Sequence, residues 1–128
     1  MPMNNSHILL PQTYYQRDLY DVVIPTAPMT VKGIPQLAAG YYNGCQKTQT
    51  VSWSVINLDA KIEIQATIIT EPTETDWVSI HTINAVKDEY NVGLTEATYV
   101  NLTGSYVKIR AKVTNFTQGS IEHIKVAY

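Results

Sequence analysis

The chain has 128 residues, enough for about one domain with a single core. Its formal net charge is -2 and only 16% of residues are charged, so no basic field is present to hold a nucleic-acid backbone, and nucleic acid is not expected as a partner. Cys45 is the only cysteine, which excludes an internal disulfide and a cysteine-rich zinc site and favours a small buried apolar residue.

Residues 1–35 contain five of the six prolines, at positions 2, 11, 25, 28 and 35. Proline lacks the donor that a central strand needs, so this part reads as an extended Pro-rich N-terminal arm, with one strand expected at Asp18 to Ile24. The start has no basic region and only a three-residue apolar run, so no signal peptide is expected, and nothing approaches a membrane span. Ile8, Leu9, Leu10, Tyr14, Tyr15 and Tyr20 make the arm too apolar for a solvated tail. They are candidate partner-binding residues, placed along the arm's own domain or along a neighbouring subunit.

From residue 36 to 128 the period becomes two, the spacing at which side chains alternate between sheet faces. Val51, Trp53 and Val55 share one face, and Asn57-Leu-Asp59 reads as a turn. Ala60, Ile62, Ile64, Ala66 and Ile68 are expected inward, with Lys61, Glu63, Gln65 and Thr67 outward. An acidic, proline-containing corner, Thr70-Glu-Pro-Thr-Glu-Thr-Asp76, follows. Trp77 to Ile83 continues with Val78 and Ile80 opposite Trp77, Ser79 and His81, and Asn84 to Asn91 is expected to be irregular. Short helical turns are conceivable near Ile34 to Ala39 and Leu94 to Ala97. A short strand at Ala97 to Leu102 precedes the longest alternation, Val107, Ile109, Ala111 and Val113 against Lys108, Arg110, Lys112 and Thr114. Asn115 to Gly119 reads as a hairpin loop, and Ser120 to Tyr128 as a closing strand with Ile124 and Val126 inward and His123 outward. The expected architecture is all-β, an antiparallel β-sandwich or jelly roll.

Chemistry-bearing patterns are sparse. His7, His81 and His123 have no metal-ligand spacing, no serine lies in a nucleophile elbow, and no glycine-rich phosphate loop occurs. Neither catalytic nor metal-binding residues are assigned, no cofactor is expected, and the chain is read as non-enzymatic. Glu71, Glu74 and Asp76 could offer oxygens to calcium, but without the glycine-pinned pattern of a calcium loop the corner reads as a turn: Pro72 fixes φ, and Thr73 to Asp76 bond to their own backbone. Lys108, Arg110 and Lys112 form the only basic stripe. It is expected outward, paired with Glu63 or Glu122 or docking an acidic partner. Trp77, Tyr99 and Tyr106 are the candidates for an alternative use, stacking against sugar rings in a glycan-binding module for host attachment.

Two segments carry a family pattern. Lys61 to Trp77 contains IEIQATIITEPTETDW, and Asn101 to Tyr128 reads NLTGSYVKIRAKVTNFTQGSIEHIKVAY. An IQAT-type strand, an acidic P-T-x-x-D-W corner, N-x-T-G, a V-x-I-R-A strand and a closing G-x-I-x-x-I-x-V-x-Y resemble small β-sandwich virion structural proteins of tailed bacteriophages, cyanophages in particular. The resemblance covers about half the chain. It implies a virion component assembled in the host cytoplasm: a decoration, cement or connector protein, homo-oligomeric, with other capsid, neck or tail subunits as partners.

Overall fold

The computed structural model describes residues 6–14, 29–38 and 48–128. The strand expected at Asp18 to Ile24, together with Tyr15, Tyr20 and Cys45, lies outside these residues. The fold is all-β and antiparallel. Among the described residues it comprises β1 (Ser6–Leu10), β2 (Thr13–Tyr14), β3 (Met29–Lys32), β4 (Gln36–Leu37), β5 (Thr48–Thr67), β6 (Val78–Ala85), β7 (Leu94–Thr103) and β8 (Lys108–Ala127), with one 3-10 turn at Glu74–Asp76. Where helical turns were conceivable, near Ile34 and Leu94, Gln36–Leu37 and Leu94–Thr103 are strands.

Two strands of 20 residues, β5 and β8, pair along their whole length and form the spine of a single sheet. Each end of the spine has its own flanking strands. In the terminal half, β7 lies outside the Thr48 to Leu58 part of β5, and β1 and β2 lie outside the end of β8. In the corner half, β6 flanks Ala60 to Ala66 of β5, while β3 and β4 flank the start of β8.

Where the sequence suggested a turn at Asn57 to Asp59 and a hairpin loop at Asn115 to Gly119, the chain bends without reversing. Asn57, Asn115 and Gly119 adopt positive φ of 52°, 53° and 89°. The β5–β8 register slips around Ile56, Asp59 and Lys61 and then resumes. Turn-forming residues therefore make bulges, which bend and twist paired strands. Leu58 and Phe116 decide between the two outcomes, because each is wholly buried and anchors its bulge in the core. The bend is tied by side chains: Asn57 Oδ1 accepts from the Gly93 amide (2.7 Å) and from Gln118 Nε2 (3.1 Å), and Gln118 Nε2 also reaches the Asn91 carbonyl (2.7 Å).

The bend turns the two halves toward one another across one core. Trp53 of the terminal half meets His81 of the corner half with ring centroids 5.8 Å apart, although Trp53 and Ile64, the partner of His81, are eleven residues apart on one strand. Val51, Val55, Ile62, Ile64, Ile109, Ala111, Val113, Ile121, Ile124 and Val126 join the same buried cluster, so the period-two reading of the inward positions holds along both long strands.

The described pieces of the arm belong to this body. β1 pairs with the end of β8, and Leu9 and Leu10 have no exposed surface. The Leu9 carbonyl accepts from the Ile34 amide (2.8 Å) and Gln36 Nε2 donates to the Ile8 carbonyl (3.0 Å), which stitches the start of the chain to the segment before β4. Burying two leucines stabilises the fold by roughly 3–6 kcal/mol. This segment is core as much as arm.

Candidate functional site

The acidic corner and the outer face of the corner half make the most structured polar site among the described residues. Register alone sets up its floor. Gln65 stands opposite Arg110, Thr67 opposite Lys108, Glu63 opposite Lys112, and Lys112 opposite Lys32 of β3. Cations thus line one side of the face, and Lys32 and Lys112 would repel as a directly opposed pair.

The corner closes over this floor. Asp76 Oδ2 accepts from the Thr73 amide (2.8 Å), and the Asp76 amide donates to the Thr73 carbonyl (3.0 Å), winding Glu74 to Asp76 into one 3-10 turn. That winding points Glu74 at Arg110. Arg110 Nη1 and Nη2 donate to Glu74 Oε1 and Oε2 at 3.1 and 2.9 Å, its Nε donates to Gln65 Oε1 at 2.8 Å, and its guanidinium lies 4.4 Å from the centroid of the Trp77 ring. Lys32 Nζ adds a contact of 3.3 Å to Glu74 Oε1. The planar fork satisfies three acceptors at once while its face stacks on the indole, a geometry that lysine does not reproduce. Hydrogen bonds from Arg110 and then Lys32 lower the Glu74 carboxyl from 4.5 to about 2.

Arg110 was expected on an outward stripe paired with Glu63 or Glu122. It is instead only 5% exposed, because the corner and Trp77 cover it, and its partner is Glu74. Lys108 and Lys112 remain half-buried at the rim. Gln65 and Thr67, also expected outward, are buried beside it. The signal that could have linked Arg110 to the corner is the number of carboxylates there; nothing in residue spacing favours Glu74 over Glu63. Two of the three corner carboxylates are separately employed, Glu74 on Arg110 and Lys32, Asp76 on Thr73, and no metal-binding group of histidine, cysteine or acidic residues occurs among the described residues.

A cleft of about 420 Å3 opens beside this clasp, lined by Pro35, Glu71, Pro72, Glu74, Trp77, Lys108 and Arg110. On the other side of the corner lies a more apolar cleft of about 290 Å3, lined by Ala66, Thr67, Ile68, Val78, Ile80 and Tyr106 with Asp76 at its edge. Ile68, expected inward, is 71% exposed here because β5 ends at Thr67, and Val78 is 62% exposed. Val78 faces the same side as its buried partner Ala66 at the open end of the β5–β6 pair, whereas a bulge in β6 shifts the pattern beyond Ser79. Ile64 pairs with His81 but Gln65 pairs with Ser79, so one extra residue flips the alternation. As a consequence His81, expected outward, meets Trp53 inside.

The remaining candidates are dispersed. Ile8 and Tyr14 are exposed on the outer face of the terminal half, whereas Leu9 and Leu10 are buried. The three aromatic residues considered for sugar stacking do not share a surface: Trp77 lines the cationic cleft, Tyr106 lines the apolar one, and Tyr99 stands on β7 in the other half of the sheet. Trp53 is core, its Nε1 donating to Glu96 at 3.1 Å. Comparison of the chain with protein-family models, curated proteins and solved structures finds no match.

Proposed function

We propose that the chain is a non-enzymatic structural component of a tailed-phage virion, a decoration, cement or connector protein that works by binding neighbouring subunits. The observation that carries the binding role is the apolar cleft at the corner. Ile68, Ile69 and Val78 expose much of their surface around Ala66, Ile80 and Tyr106. Grouped apolar side chains of this kind mark protein contacts more often than isolated ones do. The particle assignment itself rests on the pattern carried by Lys61 to Trp77 and Asn101 to Tyr128, and those segments include Ala66, Thr67, Ile68 and Tyr106 of this cleft and Gln65, Glu74, Trp77 and Arg110 of the clasp.

In this reading the clasp is a support. It fixes the corner against β8, so that Ile68 and Val78 are held on a rigid rim rather than on a mobile loop, which reduces the ordering cost of binding. Covering what Ile68 and Val78 leave exposed contributes roughly 2–4 kcal/mol before that cost is subtracted. Of the two placements the arm's apolar composition allowed, its described pieces take the one along their own domain: Leu9 and Leu10 hold the fold, and among the described candidates Ile8 and Tyr14 remain exposed for a partner.

The test is incorporation. Tagged chain would be expressed in cells infected by the phage that encodes it, and particles separated on a density gradient. Wild-type chain should co-sediment with particles, whereas Ile68→Asp/Val78→Asp should fold with an unchanged circular dichroism spectrum yet stay in the free fraction. Absence of the wild-type chain from purified particles would sink the virion assignment, and normal incorporation of the double variant would sink the role given to the corner.

A further inference from the structure

The two edges of the sheet are protected very unequally. On the β8 side the edge is broken into β1, β2, β3 and β4, none longer than five residues, with Pro11 and Pro35 beside them and register slips within β1 and β3. Short pieces, prolines and bulges are the usual means of blunting an edge. On the β5 side, β6 carries the bulge between Ser79 and His81. β7 has only one slip, at its Leu94 end, where Val55 pairs with Glu96 but Leu58 pairs with Leu94. It pairs with β5 through eight consecutive residues, Glu96 to Thr103, without a slip, and within its ten residues there is no proline, no lysine and one charge, Glu96.

Among the described residues no strand covers its outer side. β5 is the only strand with which β7 pairs among the described residues. Ala97, Thr98 and Tyr99 are consecutively exposed, Tyr99 at 66%. Neighbouring strand residues face opposite sides of a sheet, so three exposed in a row leave both faces and the edge between them uncovered. In an antiparallel strand alternate residues direct both backbone groups to the same side, so about five amides and five carbonyls of β7 point away from β5.

We infer that β7 is an association edge that pairs antiparallel with β7 of a second copy of the chain, extending the sheet across a two-fold axis near Tyr99. Charge selects the occupant. With Tyr99 at the axis, Glu96 stands opposite Leu102 of the other copy, and the two Glu96 carboxylates are six residues apart along the strand. That is about 20 Å, beyond the screening length of about 8 Å at physiological salt. Glu96 is also held by Trp53 Nε1 at 3.1 Å. The strand therefore meets its own copy without opposed charges, and a net charge of -2 adds little repulsion. Two Tyr99 rings directly opposed form a favourable cross-strand pair. The inference does not rest on the virion assignment, since a chain that never enters particles would still self-pair.

Sedimentation of the purified full chain from about 1 to 100 μM tests it, together with Ala97→Lys/Tyr99→Lys and, in a Cys45→Ser background, Tyr99→Cys or Tyr14→Cys. The expected results are a concentration-dependent dimer, dissociation at least tenfold easier in the lysine variant at unchanged thermal unfolding, and a disulfide-linked dimer from Cys at position 99 but not at position 14. A wild-type monomer throughout the range would overturn the proposal. So would a dimer undiminished by the lysines, one lost in Ile68→Asp/Val78→Asp instead, or cross-linking at position 14 alone. Pairing of the β7 edge with an extended peptide of another protein while the chain stays monomeric would likewise overturn it.

Discussion

The double bulge makes a sharp prediction at Gly119. Its φ is 89°, and a Cβ there would collide with the Asn57 carbonyl and lie 2.6 Å from the Ile56 carbonyl oxygen, both backbone atoms of β5. Gly119→Ala then incurs two penalties. Holding an L-residue at positive φ costs about 1–2 kcal/mol, and forcing two paired backbones apart costs about 1–3 kcal/mol more, so about 3 kcal/mol is expected. Whole-domain stability for 128 residues is roughly 6–19 kcal/mol, so this is a large fraction. With an unfolding entropy near 2.1 cal/mol/K per residue, the expected fall in Tm is about 11 °C. Gly104 supplies the control. The three atoms nearest to a Cβ there all belong to the far end of the Tyr106 side chain, with Cε2 at 2.5 Å, and that ring can swing away, so Gly104→Ala should cost less than about 1 kcal/mol. Calorimetry and urea titration of both variants measure the difference. A Gly119→Ala protein melting within about 2 °C of wild type would show that the β5–β8 bend is not closed as tightly as described.

Three further outcomes follow from the packing. Leu9→Ala or Leu10→Ala, each removing a fully buried side chain from the cluster shared by both halves, should cost about 2–5 kcal/mol in urea denaturation; a loss under about 0.5 kcal/mol would return this segment to a loosely held arm. Arg110→Lys keeps the charge but loses the fork that reaches Gln65 and both Glu74 oxygens, and should destabilise by about 1–3 kcal/mol with increased exposure of Trp77 by fluorescence; unchanged emission and stability would refute the clasp. The pH dependence has a defined sign. The Glu74 carboxyl is lower in the folded chain, about 2 against 4.5, so its contribution is complete above pH about 4.5 and is lost as pH falls toward 2. Glu74→Gln should therefore flatten the stability profile within that window, and an identical acid limb in wild type and variant would show that Glu74 contributes nothing to it.

Much of the fold was legible because period two is a local property. The inward sets Val51, Trp53, Val55 and Ile62, Ile64, Ala66, and likewise Ile109, Ala111, Val113 and Ile124, Val126, are buried as their alternation implies. What misled was turn chemistry. Asn-Leu-Asp and Asn-Phe-Thr-Gln-Gly tolerate positive φ, and that same tolerance serves a hairpin or a bulge equally well. The choice depends on whether a long partner strand continues alongside, which is a property of the pairing and not of the pentapeptide.

The candidate site was legible only in parts. The acidic corner was correctly read as a turn whose residues bond to their own backbone, and Arg110 was singled out as one of three cations. Their union was hidden, since Arg110 and Glu74 are 36 residues apart and only the turn of the corner over the β5–β8 face brings them together. The contact of His81 with Trp53 was equally hidden, because a one-residue bulge in β6 shifts the alternation beyond Ser79 without any change in composition, and the exposure of Ile68 follows only from β5 ending at Thr67. The amino-acid order by itself determined the strand class, the inward faces and the absence of a strong charge field, all of which follow from spacing and side-chain type. Only tertiary pairing decided that two turns became bends in 20-residue strands, that part of an extended arm became core, and that Arg110 alone of a basic stripe was buried in a clasp. Burial and pairing depend on which distant backbone lies alongside, and no local pattern encodes that.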